Sequence, residues 1–408
     1  MTTLDNAFVR SQFPAFSEPT LAGQAFFENA GGSYTCQQVI ERLTRFYTAR
    51  KIQPFYPHRV SQLGGEEMDE ARTRLAAYMG VASDELNFGP STTQNTYVLA
   101  RAFGEWLKPG DVIVVTNQDH EANIGPWRRL SALGIEIREW QVDPATGSLD
   151  LNDLSSLLDE RVKLVCFPHC SNLVAEINPV KDIVNLIHSA GAYTCVDAVS
   201  YAPHGFPNVA DLGADIYLFS SYKTYGPHQG IMVVRRELAK ALPNQGHYFN
   251  EDVLNLRFVP AGPDHAQVAA SAGMVDYFES IYQHHSSGEA SGTALGASVN
   301  KLIAGYEQAL LQPLLDYVDG KQGVRLLGPS DATRRAATVS FMTEKSAEVI
   351  ANELADLNII AAWGSYYAPR LMQAMNLDTQ PGAVRVSFTH YTSQDEITQL
   401  IDALERVL

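Results

Sequence analysis

Apolar and β-branched residues gather in short runs over the first part of the chain, at 111–116, 135–142, 162–168, 192–197, 215–220 and 230–234. Most of these runs lack polar alternation, the pattern of strands buried on both faces of a sheet. Helical patterns lie between them. Over 66–79, Met68, Ala71, Leu75 and Met79 recur at spacings of three, four and four and so share one helix face. Another helix is predicted over 180–189, closed by Gly191. Alternation of strand and helix predicts a mostly parallel sheet covered by helices.

Beyond about residue 266 the pattern changes. Helical periodicity dominates to about 319, interrupted by the loop-like stretch SSGEASG at 286–292. A strand, a helix and a strand follow at 337–341, 346–357 and 359–362, then a strand at 383–388. The last helix starts at Ser393, with Glu396 completing a capping box and Ile397, Leu400, Ile401, Leu404 and Leu408 as its apolar face. The expectation is a large α/β domain over 26–262 and a small α+β domain built from 1–25 and 263–408, joined near 260–264. No internal repeat interrupts this scheme.

Charge and composition narrow the function. The 408 residues carry 30 Lys and Arg against 46 Asp and Glu, a net charge of −16. Such a surface repels a phosphate backbone, so neither nucleic acid nor an anionic membrane is expected as a partner. No run of 18 apolar residues is present to span a bilayer, and the N-terminal stretch lacks the pattern of a signal peptide. Four cysteines are too few for a disulfide framework. A cytoplasmic protein of enzyme-like size is expected.

Candidate chemistry collects where the predicted strands end. The 215–220 strand runs into Ser220-Ser221-Tyr222-Lys223-Thr224-Tyr225-Gly226-Pro227, which puts Lys223 just past the C-terminal edge, where open α/β sheets bind ligands. Its neighbours are hydroxyls, rings and a Gly-Pro turn, unlike those of a solvated loop lysine. Asp197 ends the 192–197 strand. A carboxylate there either caps a turn or meets a cation, and the protonated ring nitrogen of pyridoxal phosphate (PLP) is such a cation. Ser91, Thr92 and Thr93 open a helix, as N-caps or as phosphate ligands, and Ser220 adds a hydroxyl near the lysine. His120, in Asp119-His120-Glu121-Ala122-Asn123, follows the 111–116 strand; its flat ring either sits in a surface loop or covers an aromatic cofactor. His169-Cys170-Ser171-Asn172 stands at another strand end. Arg385, inside an apolar run, needs a carboxylate or phosphate, from a ligand or from the protein itself. Cys166 and Cys170 flank His169 without a second pair to complete a metal site, and Cys170 reads as a small buried hydrophobe. No metal site is expected, and His284-His285 reads as a solvated loop.

Taken in chain order, Asn29-Ala30-Gly31-Gly32, Thr92-Thr93, His120 with Ala122-Asn123, Ser171-Asn172 with Ile177-Asn178-Pro179, Asp197, Ser220 with Lys223-Thr224-Tyr225-Gly226-Pro227, and Arg385 carry a resemblance. The sequence resembles the fold type I PLP enzymes of the class V aminotransferase group, close to the cysteine desulfurases, from about residue 26 to 406. The resemblance implies a large domain with a mostly parallel seven-stranded sheet and a smaller α+β domain. It implies that Lys223 holds PLP as a Schiff base and, once released, moves the Cα proton. Asp197 would bond the pyridine nitrogen and His120 would stack on the ring. Thr92, Thr93 and Ser220 would bind the phosphate, with Asn172 near the phenolic oxygen or the substrate. Ser200 and Tyr222 would complete the cofactor site, where many relatives carry glutamine and histidine. Arg385 would grip the carboxylate of an amino-acid substrate, with Asn29, Gly31, His58 and Tyr366 near it. The family implies a homodimer with sites at the interface, and Gly262 stands where a partner-chain threonine often reaches the phosphate.

One departure bears on the reaction. Cysteine desulfurases carry a nucleophilic cysteine shortly before the clamp arginine. The matching stretch Trp363-Gly364-Ser365-Tyr366-Tyr367-Ala368-Pro369-Arg370 has none, and no cysteine lies beyond Cys195. The expectation is C–S lyase or other β-elimination chemistry, with an aminotransferase, an epimerase or a non-catalytic PLP-binding protein as alternatives. A nucleotide-binding regulator is disfavoured, because no G-x-G-x-x-G or G-x-x-x-x-G-K-[ST] follows a strand.

Overall fold

The computed structural model describes residues 3–408. Its main sheet has seven strands, in the spatial order Leu86–Gly89, Gly230–Val234, Ile216–Ser220, Tyr193–Asp197, Val162–Pro168, Val112–Thr116 and Glu136–Trp140. Gly230–Val234 is antiparallel to both its neighbours, and every other adjacent pair is parallel. The mostly parallel α/β architecture expected from the sequence is present. Successive strand residues face opposite sides. Val112, Val114, Val165, Phe167, Val196 and Phe219 enter the core on one face, while Ile113, Val115, Leu164, Cys166, Cys195 and Leu218 enter the core on the other. Both faces are covered, which is why these runs show no polar alternation. Glu136–Trp140 differs because it is an edge strand: only Trp140 is fully buried, and charged side chains guard the open edge.

The helix predicted over 66–79 begins earlier, spanning Arg59–Met79. Gly64 and Gly65 lie inside it and are buried, and a side chain at Gly65 would collide with the Phe55 ring. Two adjacent glycines depress helix propensity, so they mask a helix that is held by packing.

The second sheet is antiparallel, in the order Ala362–Gly364, Ala383–Ser387, Thr338–Met342 and Arg325–Leu327. The single strand expected at 359–362 is two: Ile359–Ile360 pairs in parallel with Ala25–Phe26, and Ala362–Gly364 joins the second sheet. The helices Ala347–Asp356 and Gln394–Val407 pack on it, and the Ser393–Glu396 capping box is formed.

Packing divides the chain elsewhere than at residue 262. His265–Ala270, Ala272–His285 and the first half of Gly292–Gly320 (Leu295, Val299, Ile303) join the core of the large sheet. From Leu310 onward that 29-residue helix enters the core of the second sheet, together with Ala25 and Phe27. The helix therefore bridges both cores. His284 and His285 end a helix instead of forming a solvated loop, and His284 stacks on Phe8 at 3.8 Å. No described helix is long and apolar enough to cross a membrane.

Candidate active site

The C-terminal edge of the main sheet gathers polar side chains onto a rigid frame. Asp197 and Ser220 are the last residues of adjacent parallel strands. Asn172 and His120 follow the ends of Val162–Pro168 and Val112–Thr116. Leu86–Gly89 leads to Ser91, whose Oγ accepts from the Gln94 amide at 3.2 Å and caps the helix Thr92–Trp106. Thr92 Oγ1 and Ser220 Oγ lie 2.8 Å apart. Gly230 lets this helix start directly against the sheet, because a Cβ there would collide with the Ser91–Thr92 backbone. Free amides and hydroxyls at such a helix start favour an anion.

A cavity of about 100 Å³ lies at this edge, lined by Thr92, Thr93, His120, Asn172, Asp197, Ser200, Ser220, Tyr222 and Lys223. Beside it is a cavity of about 870 Å³ that shares Thr93, His120, Asn172, Tyr222 and Lys223. Its remaining wall includes Glu28, Gly31, Tyr366, Tyr367, Arg370 and Arg385.

Lys223 stands where the two cavities meet. Its loop is held by Ser33 Oγ, which donates to the Lys223 carbonyl at 2.7 Å, and turns at Tyr225 with φ 65°. Burial lowers the amine to about 8, helped by Arg385 and opposed by Asp197 and Glu28. Among the described residues the amine has no hydrogen-bond or ion-pair partner, and it lies 5.9 Å from the Tyr222 ring centre. Asp197 is pushed up to about 6 by burial, against the Val199 amide that donates to it at 2.9 Å. Asp119 is a second buried acid, raised by burial and by the Asp197 charge; it accepts from Asn123 Nδ2 at 2.8 Å and from the His120 amide at 2.7 Å. Their mutual repulsion favours holding one proton between the pair.

His120 Nδ1 accepts from the Ala122 amide at 3.0 Å, which leaves the proton of the neutral ring on Nε2. Burial, then Lys223 and Arg385, lower this imidazole to about 4, so it is uncharged at neutral pH. Arg385 is almost wholly buried. Nη1 donates to the Asn172 carbonyl at 3.1 Å, Nη2 to Glu28 Oε1 at 2.9 Å, and the guanidinium lies 3.8 Å from the Tyr366 ring centre. Asn172 Nδ2 donates to the Tyr366 carbonyl at 2.7 Å, while its Oδ1 is buried without a partner among the described residues. Tyr366 and Tyr367 both adopt positive φ, 52° and 57°, a strained turn that puts both rings on the cavity wall.

Two residues expected near the substrate lie elsewhere. Asn29 lines neither cavity: its Nδ2 donates to the Ser387 carbonyl at 3.1 Å and its Oδ1 accepts from the Tyr391 hydroxyl. That side chain is consumed in fixing the 28–33 segment to the second sheet. His58 also lines neither cavity and stands exposed at the start of the helix Arg59–Met79. Cys170 borders the smaller cavity, yet its Sγ donates to the Ala175 carbonyl at 3.2 Å and burial pushes the thiol up to about 12. A thiol so protonated is a poor nucleophile. Glu28 and Asp119 were missed from sequence, although each adjoins a motif residue. Arg370 and Arg128 also line the larger cavity; Arg370 Nε is 3.4 Å from Glu121, and Arg128 donates to Glu139 at 2.8 Å.

An amine lowered toward neutrality, a buried acid, a neutral imidazole, an unpaired amide oxygen and a hydroxyl-lined helix start fit a planar, phosphorylated aldehyde such as PLP. Comparison with known proteins agrees. The sequence model described as aminotransferase class-V matches residues 25–258 and 290–400. An aminotransferase-like protein of Gibberella zeae is 34% identical, covering 98% of this chain and 98% of its own. A cysteine desulfurase of Serratia proteamaculans is 30% identical, over 98% of this chain and 97% of its own. The apo structure of a cysteine desulfurase from Thermococcus onnurineus NA1 matches with a TM-score of 0.85 at 26% identity, covering 100% of this chain and 99% of that one. The chain belongs to the class V aminotransferase family of PLP-dependent enzymes, which has the fold type I architecture.

Proposed function

We propose that this enzyme acts at Lys223 on an amino acid or amino-acid-like substrate, and that the outcome is C–S lyase or related β-elimination chemistry. The observation that carries the reading is the Lys223 amine. It is lowered to about 8, unpaired among the described residues, and sits where the cavity holding Asp197 meets the cavity holding Arg385.

When bound, PLP supplies an electron sink for charge left on the substrate Cα. Asp197 holds the proton of the ring nitrogen. Thr92, Thr93 and Ser220, with the amides of the helix start, take the phosphate. His120 offers a flat neutral ring and Asn172 its free amide oxygen; Ser200 and Tyr222 close the pocket. Lys223 anchors the cofactor at rest and, when freed, carries the proton from Cα, a task suited to an amine near neutrality. Arg385 takes the substrate carboxylate. The turn before Arg385 presents Tyr366 and Tyr367 in place of a thiol, and all four cysteines are buried. Sulfur cleaved from a substrate therefore leaves into solution instead of transferring to the protein.

Incubating the holoenzyme with L-cysteine, cystine and a panel of amino acids tests this. Pyruvate and ammonia are expected, with sulfide from L-cysteine and cysteine persulfide from cystine. Alanine with zero-valent sulfur, read as sulfide only after a thiol reductant is added, would contradict the elimination reading, and conversion to the pyridoxamine form would make the enzyme a transaminase. The reading also includes a homodimer. An apolar groove of about 860 Å³, lined by Phe88, Val98, Phe258, Val259 and Pro260, adjoins the helix start at Ser91. Sedimentation at close to twice 44.8 kDa is expected.

A further inference from the structure

We infer that Glu28 is a specificity gate: it fills the Arg385 fork in the resting enzyme and must leave before an α-carboxylate can bind. The inference rests on reading Arg385 as the substrate-carboxylate site. A carboxylate engages a guanidinium best through two parallel N–H bonds along one edge. Arg385 Nη1 is committed to the Asn172 carbonyl, part of the backbone, and Nε is buried without a partner among the described residues. Tyr366 covers one face of the group. The edge left for a ligand is Nε with Nη2, and Nη2 is held at 2.9 Å by Glu28.

Glu28 is built to be the exchangeable partner. Its side chain is 27% exposed against 5% for Arg385, and it lines the larger cavity. The chain turns back at once, with the Gly31 amide donating to the Glu28 carbonyl at 3.0 Å. A Cβ at Gly31 would overlap the Glu28 carboxylate, so the glycine leaves the space that this group occupies. From its resting position the charge of Glu28 also bears on Lys223 and Tyr222. Every incoming carboxylate therefore competes with an internal one. A substrate lacking the carboxylate leaves the pair intact and gains nothing from Arg385.

Propionate, a carboxylate without an amine, is the probe, titrated calorimetrically into the holoenzyme. Removing the internal competitor in E28Q is expected to tighten propionate binding roughly five- to tenfold, the scale of a largely buried, charge-assisted pair. E28D, whose shorter side chain draws back from the fork, is expected to shift in the same direction, and R385A to abolish binding in either background. With an amino-acid substrate, E28Q is expected to lower KM more than it changes kcat. Unchanged or weaker propionate binding in both E28Q and E28D would overturn the gate and leave Glu28 as a residue that merely positions Arg385. If R385A keeps wild-type affinity, the carboxylate-site reading fails and the gate falls with it.

Discussion

The two walls of the site are finished to different degrees. On the main-sheet wall, Lys223 has no partner among the described residues, and Asp197 has one amide donor for a buried carboxylate. On the second-sheet wall, Arg385 is met by Glu28, by the Asn172 carbonyl and by the Tyr366 ring. Buried charges without partners are costly, so the first wall is arranged for a group that the chain does not itself supply. The second is satisfied internally, and on the proposed reading it has to be opened. On that reading the main-sheet wall is preorganised for a permanent guest, and the second-sheet wall for a transient one.

Breaking the first wall has the largest expected effect. Lys223→Ala removes the proposed anchor and proton carrier, and turnover is expected to fall roughly 10³-fold or more, with loss of the visible absorbance of the bound cofactor. Asp197→Asn separates stability from function. Folding raises this carboxyl from 3.8 to about 6, so the fold favours its protonated form. The stabilisation from that proton is complete below pH about 4 and is lost as the pH rises through about 6. The asparagine mimics the protonated acid, so at pH 8 the apoprotein variant is expected to be more stable by about 1–3 kcal/mol in denaturant titration. The same variant is expected to lose roughly 100-fold in kcat, because the ring nitrogen loses its charged partner.

How much of each wall was legible follows the same division. Lys223, Asp197, Ser220, Thr92 and His120 are readable because each stands at or just past a strand end, and parallel strands ending on one edge bring such residues together whatever their separation in sequence. The Glu28–Arg385 pair spans 357 residues, and no local pattern encodes it. Asn29 misled for a related reason. Its motif was visible, but the Tyr391 hydroxyl that consumes its oxygen is 362 positions away. The helix over Arg59–Met79 was read short because packing at Gly65, not propensity, holds its first turns. Asp119 was in view beside His120, but its role depends on its proximity to Asp197, which only the folded sheet reveals.

Two smaller effects sharpen the contrast. Uptake of PLP by the apoprotein is expected to accelerate with pH, with a midpoint of about 8, since only the neutral Lys223 amine condenses with an aldehyde. Stopped-flow absorbance across pH 6–10 reads this directly; a midpoint near that of an ordinary lysine would mean that the wall does not tune the amine. Cys170→Ser is expected to change kcat less than about twofold, because the thiol is buried and protonated and takes no part in the chemistry. A large loss at unchanged stability would reassign it.

The most direct measurement of the central claim is to reduce the holoenzyme with borohydride, digest it and locate the pyridoxyl group by mass spectrometry. The account predicts a single modified peptide carrying the group on Lys223. Attachment to another lysine, or no attachment in protein that is yellow before reduction, would contradict it.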